Sequence, residues 1–236
     1  MLQQEQIPQV NSVVKIVDWL RPALTVPKTS WSAGDSNWKV NFKTFSVLII
    51  GLWLFGTGEA ALVAAGIGQS PWVVLADGLA KTLNMSIGET TFLTSVIVLL
   101  LWIPLKRKPG LGTVMNILVI AIALEVMIPF FPSPENIVAQ SVQVLFGILL
   151  TGISSALYIT CNVGPGPRDG LMTGLHEKTG IRIGRVRTMI EVSVLTIGWL
   201  LGGVVGIGTL LFALLIGQSI ALAFGIVERI SPKKSD

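Results

Sequence analysis

The chain has 236 residues, a mean hydropathy of +0.73 and one cysteine. Charged residues make up only 13%, about half the share of a soluble domain, so they cannot cover a soluble body of this size. The single Cys excludes an internal disulfide, and with a lone His it leaves no Cys/His zinc set. The net charge of +4 sits in short clusters between apolar stretches, which is how a membrane protein holds its cytoplasmic loops and not how a nucleic-acid-binding face is built.

In chain order, residues 1–43 read as an N-terminal extension. No continuous apolar core follows a basic start, so no signal peptide is expected. Val10, Val13, Val14, Val17 and Leu20 recur at helical spacing. That pattern fits an amphipathic helix on the membrane surface or a mobile tail. Trp31, Trp38 and Phe42 suit an interfacial approach to the first span. Six stretches then approach the roughly 20 apolar residues a membrane helix needs: Phe45–Ile67, Ile87–Leu105, Val114–Phe131, Ile137–Cys161, Val186–Leu201 and Ile207–Ile226. Two pieces, Trp72–Leu83 and Arg168–Thr179, are too short to span.

Lys and Arg placement tests this count. Basic residues cluster before the first span, at Lys106–Lys108, between Arg168 and Arg187, and at Arg229, Lys233 and Lys234. The alternate connections hold only Lys81. Every second connection is basic, which predicts six spans with both termini cytoplasmic. An eight-span arrangement would put Lys106–Lys108 outside.

A shift of 96 positions superimposes two halves, residues 44–132 and 133–228, without a gap. Gly51, Gly56 and Ala60 fall on Gly147, Gly152 and Ala156; Gly68, Pro71 and Gly78 fall on Gly164, Pro167 and Gly174. From 51 to 128, 20 of 78 positions are identical. Residues 229–236 remain as a short basic tail. Each half reads span, short piece, span, span. Three crossings are an odd number, so the second half is expected to enter from the opposite side, as an inverted-topology repeat.

The short pieces come after Gly/Pro-rich turns, Gly66–Pro71 and Asn162–Pro167. Interrupted segments at matching positions of two halves are the best sequence pointer to a transport site. Two re-entrant half-helices with inward N-termini are expected, with surface-lying connectors as the alternative. Exposed helix N-termini favour anions and carbonyl oxygens, which brings Gly164 and Gly166 into the candidate site. Asp169 either caps its helix or serves the site; Arg168 is a positive-inside anchor or an anion partner. Glu59, inside the first span and without a local partner, either carries a proton or faces the bundle interior. Glu191 lies four residues after Arg187, the spacing of a structural helix pair as well as of a gating pair. Glu59, Gly164, Gly166, Arg168, Asp169, Arg187 and Glu191 are therefore the expected solute-binding residues. Glu125 lies in the third span and His176 in the second short piece. No P-loop or catalytic constellation stands out, so no enzyme activity, cofactor or metal is expected.

Pro71-Trp72 with Gly78-Leu79-Ala80, and Pro109-Gly110-Leu111-Gly112-Thr113, resemble the first half of the YczE/YyaS/YitT-like bacterial integral membrane proteins. Gly164-Pro165-Gly166-Pro167-Arg168-Asp169-Gly170-Leu171-Met172 is similar to their second-half box, and Val186-Arg187-Thr188 with Glu191 is similar to the segment C-terminal to that box. The resemblance covers residues 45–226. It implies an all-helical membrane protein and carries no established substrate. Val73 stands where relatives often have Asp, and Gln218 where they often have Pro. The expected function is passage of a small polar or anionic solute between the half-helices. The alternative is a non-transporting membrane accessory or assembly factor. Lipid is the expected environment, with a second copy or another membrane protein as candidate partner, and no nucleic acid.

Overall fold

The computed structural model describes residues 21–23, 25–34 and 36–231. The expected surface helix near Val10–Leu20 and most of the basic tail lie outside the described residues. Within them the chain forms eight α-helices and no strand: α1 Phe42–Ala65, α2 Pro71–Leu83, α3 Ile87–Leu100, α4 Leu111–Met127, α5 Ile137–Thr160, α6 Pro167–Thr179, α7 Ile183–Leu200 and α8 Ile207–Ile230. The starts of α2, α3 and α4 recur in α6, α7 and α8 at an offset of 96 residues.

Local chemistry sets these limits. Asn41 Oδ1 accepts from Thr44 N at 2.7 Å and opens α1. Ser86 and Glu89 form a capping box at α3. Pro71 and Pro167 occupy the first positions of α2 and α6, where a missing N–H costs nothing. Glu125 serves a structural role: its Oε2 accepts from Gly88 N at 2.9 Å, so it satisfies the α3 N-terminus from α4.

Four helices are long and apolar enough to cross a membrane: α1, α4 with its 3₁₀ extension to Phe130, α5 and α8. The second and fifth expected spans fall short of that standard. The stretch Leu101–Lys106 departs into turns, so α3 ends at Leu100 with 14 residues, about 21 Å of helix. It meets α2 at 112°, and the pair counts as one further broken span or as a re-entrant loop. In α7, Arg185, Arg187 and Glu191 sit within 18 residues.

Helices α1 and α5 form the centre and cross antiparallel. Gly51 faces Tyr158, Gly58 faces Gly147 and Thr151, and the Gln143 amide reaches Ala61 O at 3.0 Å. Gly56 abuts Ala123 of α4, and Gly152 abuts Ser219 of α8, the same contact 96 residues on. Small residues let these backbones approach where hydrophobic driving force between helices is weak. Leu48, Leu52 and Leu62 fill the interface with no exposed surface.

The short helices exchange partners between halves: α2 lies on α7, and α6 lies on α3. Asp77 Oδ2 accepts from Lys81 Nζ at 2.9 Å and from Val204 N at 3.0 Å, while Lys81 also donates to Gly202 O. The Gly/Pro turns exchange as well. Ile67 O accepts from Gly208 N, and Val163 O from Gly112 N, both at 2.8 Å. Gly68 (φ +123°) and Gly164 (φ +105°) lie in the region that side chains avoid. A Cβ at Gly68 would come within 2.7 Å of Thr209 N, and one at Gly164 within 3.0 Å of the Gly110 Cα.

The described residues between 21 and 41 form a strap against the bundle. Ala23 N donates to Ala221 O, Ala33 N to Cys161 O, and Leu111 N to Asn37 O. Trp31 Nε1 donates to Thr160 Oγ1 at 3.0 Å. The strap thus ties the ends of α5 and α8 to the start of α4, while Trp38 and Phe42 remain exposed.

Candidate functional site

The five-residue turn after α1 runs back along it. Ser70, which precedes α2, donates from Oγ to Glu59 Oε2 at 2.7 Å. Glu59 lies six residues before the end of α1, about 9 Å along the helix. The α2 N-terminus is therefore carried into the interior, and the partner that Glu59 lacks in sequence comes from this turn. Ser70 spends its hydroxyl there, so no side chain caps α2; α6, preceded by Gly166, has no side-chain cap either.

Both N-termini open on a cavity of about 60 Å³ whose wall includes Glu59, Ser70, Trp72, Thr94, Asn116 and Arg168. A second cavity of about 180 Å³ adjoins it, with Phe55, Trp72 and Arg168 common to both. The two are related by the 96-residue offset. Glu59, Thr91 and Ser95 of the first chamber become Ser155, Arg187 and Glu191 of the second. Trp72 becomes Arg168, and Ile120 becomes Ile216. The chain thus holds two equivalent chambers with divergent chemistry, meeting at the Phe55–Trp72–Arg168 wall.

Arg168 makes no side-chain hydrogen bond and no ion pair among the described residues. Its guanidinium lies over the Phe55 ring, 5.0 Å from the centroid, a cation–π contact that holds the charge without consuming its N–H donors. Asp169 does not cap α6. Its Oδ2 accepts from Tyr158 OH at 3.1 Å, which pins α6 to α5. Arg187 Nε donates to Glu191 Oε1 at 2.9 Å, the structural pair the spacing suggests, and both line the second chamber. Gly164 belongs to the turn docked on Gly110, outside the chamber walls, whereas a Cβ at Gly166 would come within 3.1 Å of the Asn116 amide. His176 is half-buried, with Nδ1 2.7 Å from Ile181 O, and takes no part in this group.

Several buried polar atoms have no partner. Of seven such atoms among the described residues, Glu59 Oε1, Trp72 Nε1, Thr91 Oγ1 and Thr94 Oγ1 belong to residues lining the first chamber and Thr151 Oγ1 to one lining the second, while Gln69 Oε1 and Arg107 Nε lie on residues that line neither. Buried polar groups are normally satisfied, so this concentration marks a place where a polar guest belongs. Sequence reasoning missed Phe55, Ser70, Trp72, Tyr158 and the α3 hydroxyls. Thr91, Thr94 and Ser95 did carry a signal, since they recur on one helical face. Among the described residues no cluster of His, Cys, Asp or Glu is arranged to hold a metal.

An all-helical bundle with four membrane-length helices and a polar interior is the architecture of an integral membrane protein. The chain belongs to the family of unknown function DUF6198, whose model matches residues 42–224. An uncharacterized protein of Haemophilus influenzae is 43% identical over 87% of this chain and 94% of its own length. The uncharacterized membrane protein YczE of Bacillus subtilis is 26% identical over 82% of this chain and 86% of its own. The uncharacterized protein YyaS of the same organism is 26% identical over 76% of this chain and 92% of its own. The resemblance read from the sequence motifs to YczE/YyaS-like proteins thus holds. No solved structure matches the chain.

Proposed function

We propose that the protein conducts a small polar or anionic solute across a bacterial cytoplasmic membrane through the two chambers. One observation carries this reading: unpartnered buried polar atoms and an unpaired guanidinium face a cavity between two uncapped helix N-termini. A packed accessory protein has no reason to leave such groups unsatisfied. In this reading the halves are inverted three-span repeats with six crossings in all. The antiparallel crossing of α1 and α5 and the exchanged docking of the Gly/Pro turns support it. The chambers, being equivalent in inverted halves, face opposite sides, and movement at the Phe55–Trp72–Arg168 wall lets each reach the centre in turn.

The full chain in proteoliposomes should raise the uptake of small carboxylates or amino acids above that of protein-free vesicles. Uptake equal to the blank across such a panel removes the transport reading and favours the accessory role. Topology has its own test. Cysteines placed at Lys106 and Ser133 should react with impermeant reagents from opposite sides; reaction from one side ends the six-crossing arrangement.

A further inference from the structure

The chemistry of the chambers narrows the solute, on the assumption that the transport reading holds. Glu59 and Arg168 line one cavity, yet they form no ion pair within 4 Å. Glu59 Oε1 is buried and open to a donor, and the Arg168 donors are unspent. A carboxyl and a guanidinium that share one chamber without bonding each other suit a guest that carries both an ammonium and a carboxylate. We propose that the solute is a small zwitterion, its anionic end on Arg168 and its ammonium on Glu59.

Size and symmetry bear on this. A cavity of about 60 Å³ holds about four to six water-sized groups, the scale of a glycine-like molecule and not of a nucleotide or sugar. Trp72 Nε1 and the hydroxyls of Thr91 and Thr94 supply neutral donors and acceptors beside the charges. The second chamber keeps the same guanidinium and adds its own carboxylates, Asp169 and Glu191, each already oriented by Tyr158 or Arg187. A zwitterion therefore keeps its anion on Arg168 while its ammonium exchanges one chamber's carboxylate for the other's. A simple anion would meet those carboxylates as repulsion, and a simple cation would meet Arg168 so.

The test is uptake of radiolabelled glycine, alanine, β-alanine, acetate and methylammonium by proteoliposomes containing the full chain. Uptake is counted above that of protein-free vesicles, since neutral acetic acid and methylamine cross a bilayer unaided, and at least one amino acid should show faster protein-dependent entry than both acetate and methylammonium. Glu59→Gln should slow amino-acid uptake about tenfold or more, the loss of a charge-assisted hydrogen bond, and so remove the preference for amino acids over acetate. Acetate entering as fast as the amino acids, with Glu59→Gln changing neither, overturns the zwitterion while the transport reading stands. No uptake of any of the five overturns both. The wild-type comparison needs no variant to fold, and an unchanged monodisperse fraction in detergent reports that Glu59→Gln is intact.

Discussion

Replacing Arg168 by Gln should slow solute uptake about thirtyfold or more at subsaturating concentration, while the protein remains folded and monodisperse. The guanidinium belongs to both chambers and makes no side-chain hydrogen bond or close ion pair among the described residues; it packs on the Phe55 ring and lies in the field of Asp169, Glu59 and Glu191. Its hydrogen-bonding capacity is therefore directed at a guest. Truncating one member of a buried charge pair costs about 2–5 kcal/mol in binding, and 1.4 kcal/mol is about tenfold. The fold loses a cation–π contact worth about 1–2 kcal/mol and the attraction between Arg168 and the nearby carboxyls, but no hydrogen bond. Arg168→Lys keeps the charge but gives up the planar fork, so it should recover part of the uptake. Uptake by Arg168→Gln within about twofold of wild type would make Arg168 a structural anchor.

The second large effect is on assembly. Gly198→Val should destabilise the protein by about 3 kcal/mol and reduce the monodisperse fraction in detergent. A Cβ at Gly198 would lie 2.5 Å from the backbone N and Cα of Leu75, and Gly78 faces the Gly198 carbonyl in return. The obstruction is main chain, which no rotamer relieves. Because α2 is held on α7 at this contact, separation here displaces the α2 N-terminus and the chamber wall with it. Gly184→Ala, on the same helix, meets nothing within 4 Å and should leave the melting temperature unchanged or slightly raised. Equal stability of both variants would show that α2 is not anchored as described.

Energetic cost decides which features are legible in the sequence. Glu59 announces itself because a carboxylate inside a span is expensive, and the Gly/Pro turns because few backbones tolerate them at depth. The 96-residue repeat of Gly and Pro carries the equivalence of α2 and α6. The partners of these groups stay hidden because contacts between halves have no sequence spacing. Ser70 stands in the Gly/Pro turn with no role that spacing assigns, and its hydroxyl serves Glu59. Arg168 reads as a headgroup anchor because basic residues near span ends usually are; packing on Phe55 draws it inward. Thr91 and Thr94 give only the faint signal of a shared helical face, because a hydroxyl in a membrane helix is cheap and ordinarily bonds the preceding turn; here neither finds a partner. Hydropathy overstates the length of α3 because apolar content continues through Leu101–Leu105, while the backbone there has already turned.

The chamber itself is tested most directly by the reactivity of a cysteine set into its wall. In a Cys161→Ala background, Thr94→Cys lies on α3 facing the first chamber, and Ile97→Cys lies three residues on, half-exposed on the outer face. A water-soluble, anionic methanethiosulfonate should modify Thr94→Cys readily in intact membranes and Ile97→Cys slowly, with Arg168 drawing the reagent inward. Equal reactivity at the two positions, or a Thr94→Cys that never reacts from either side, would contradict a hydrated polar chamber between the half-helices.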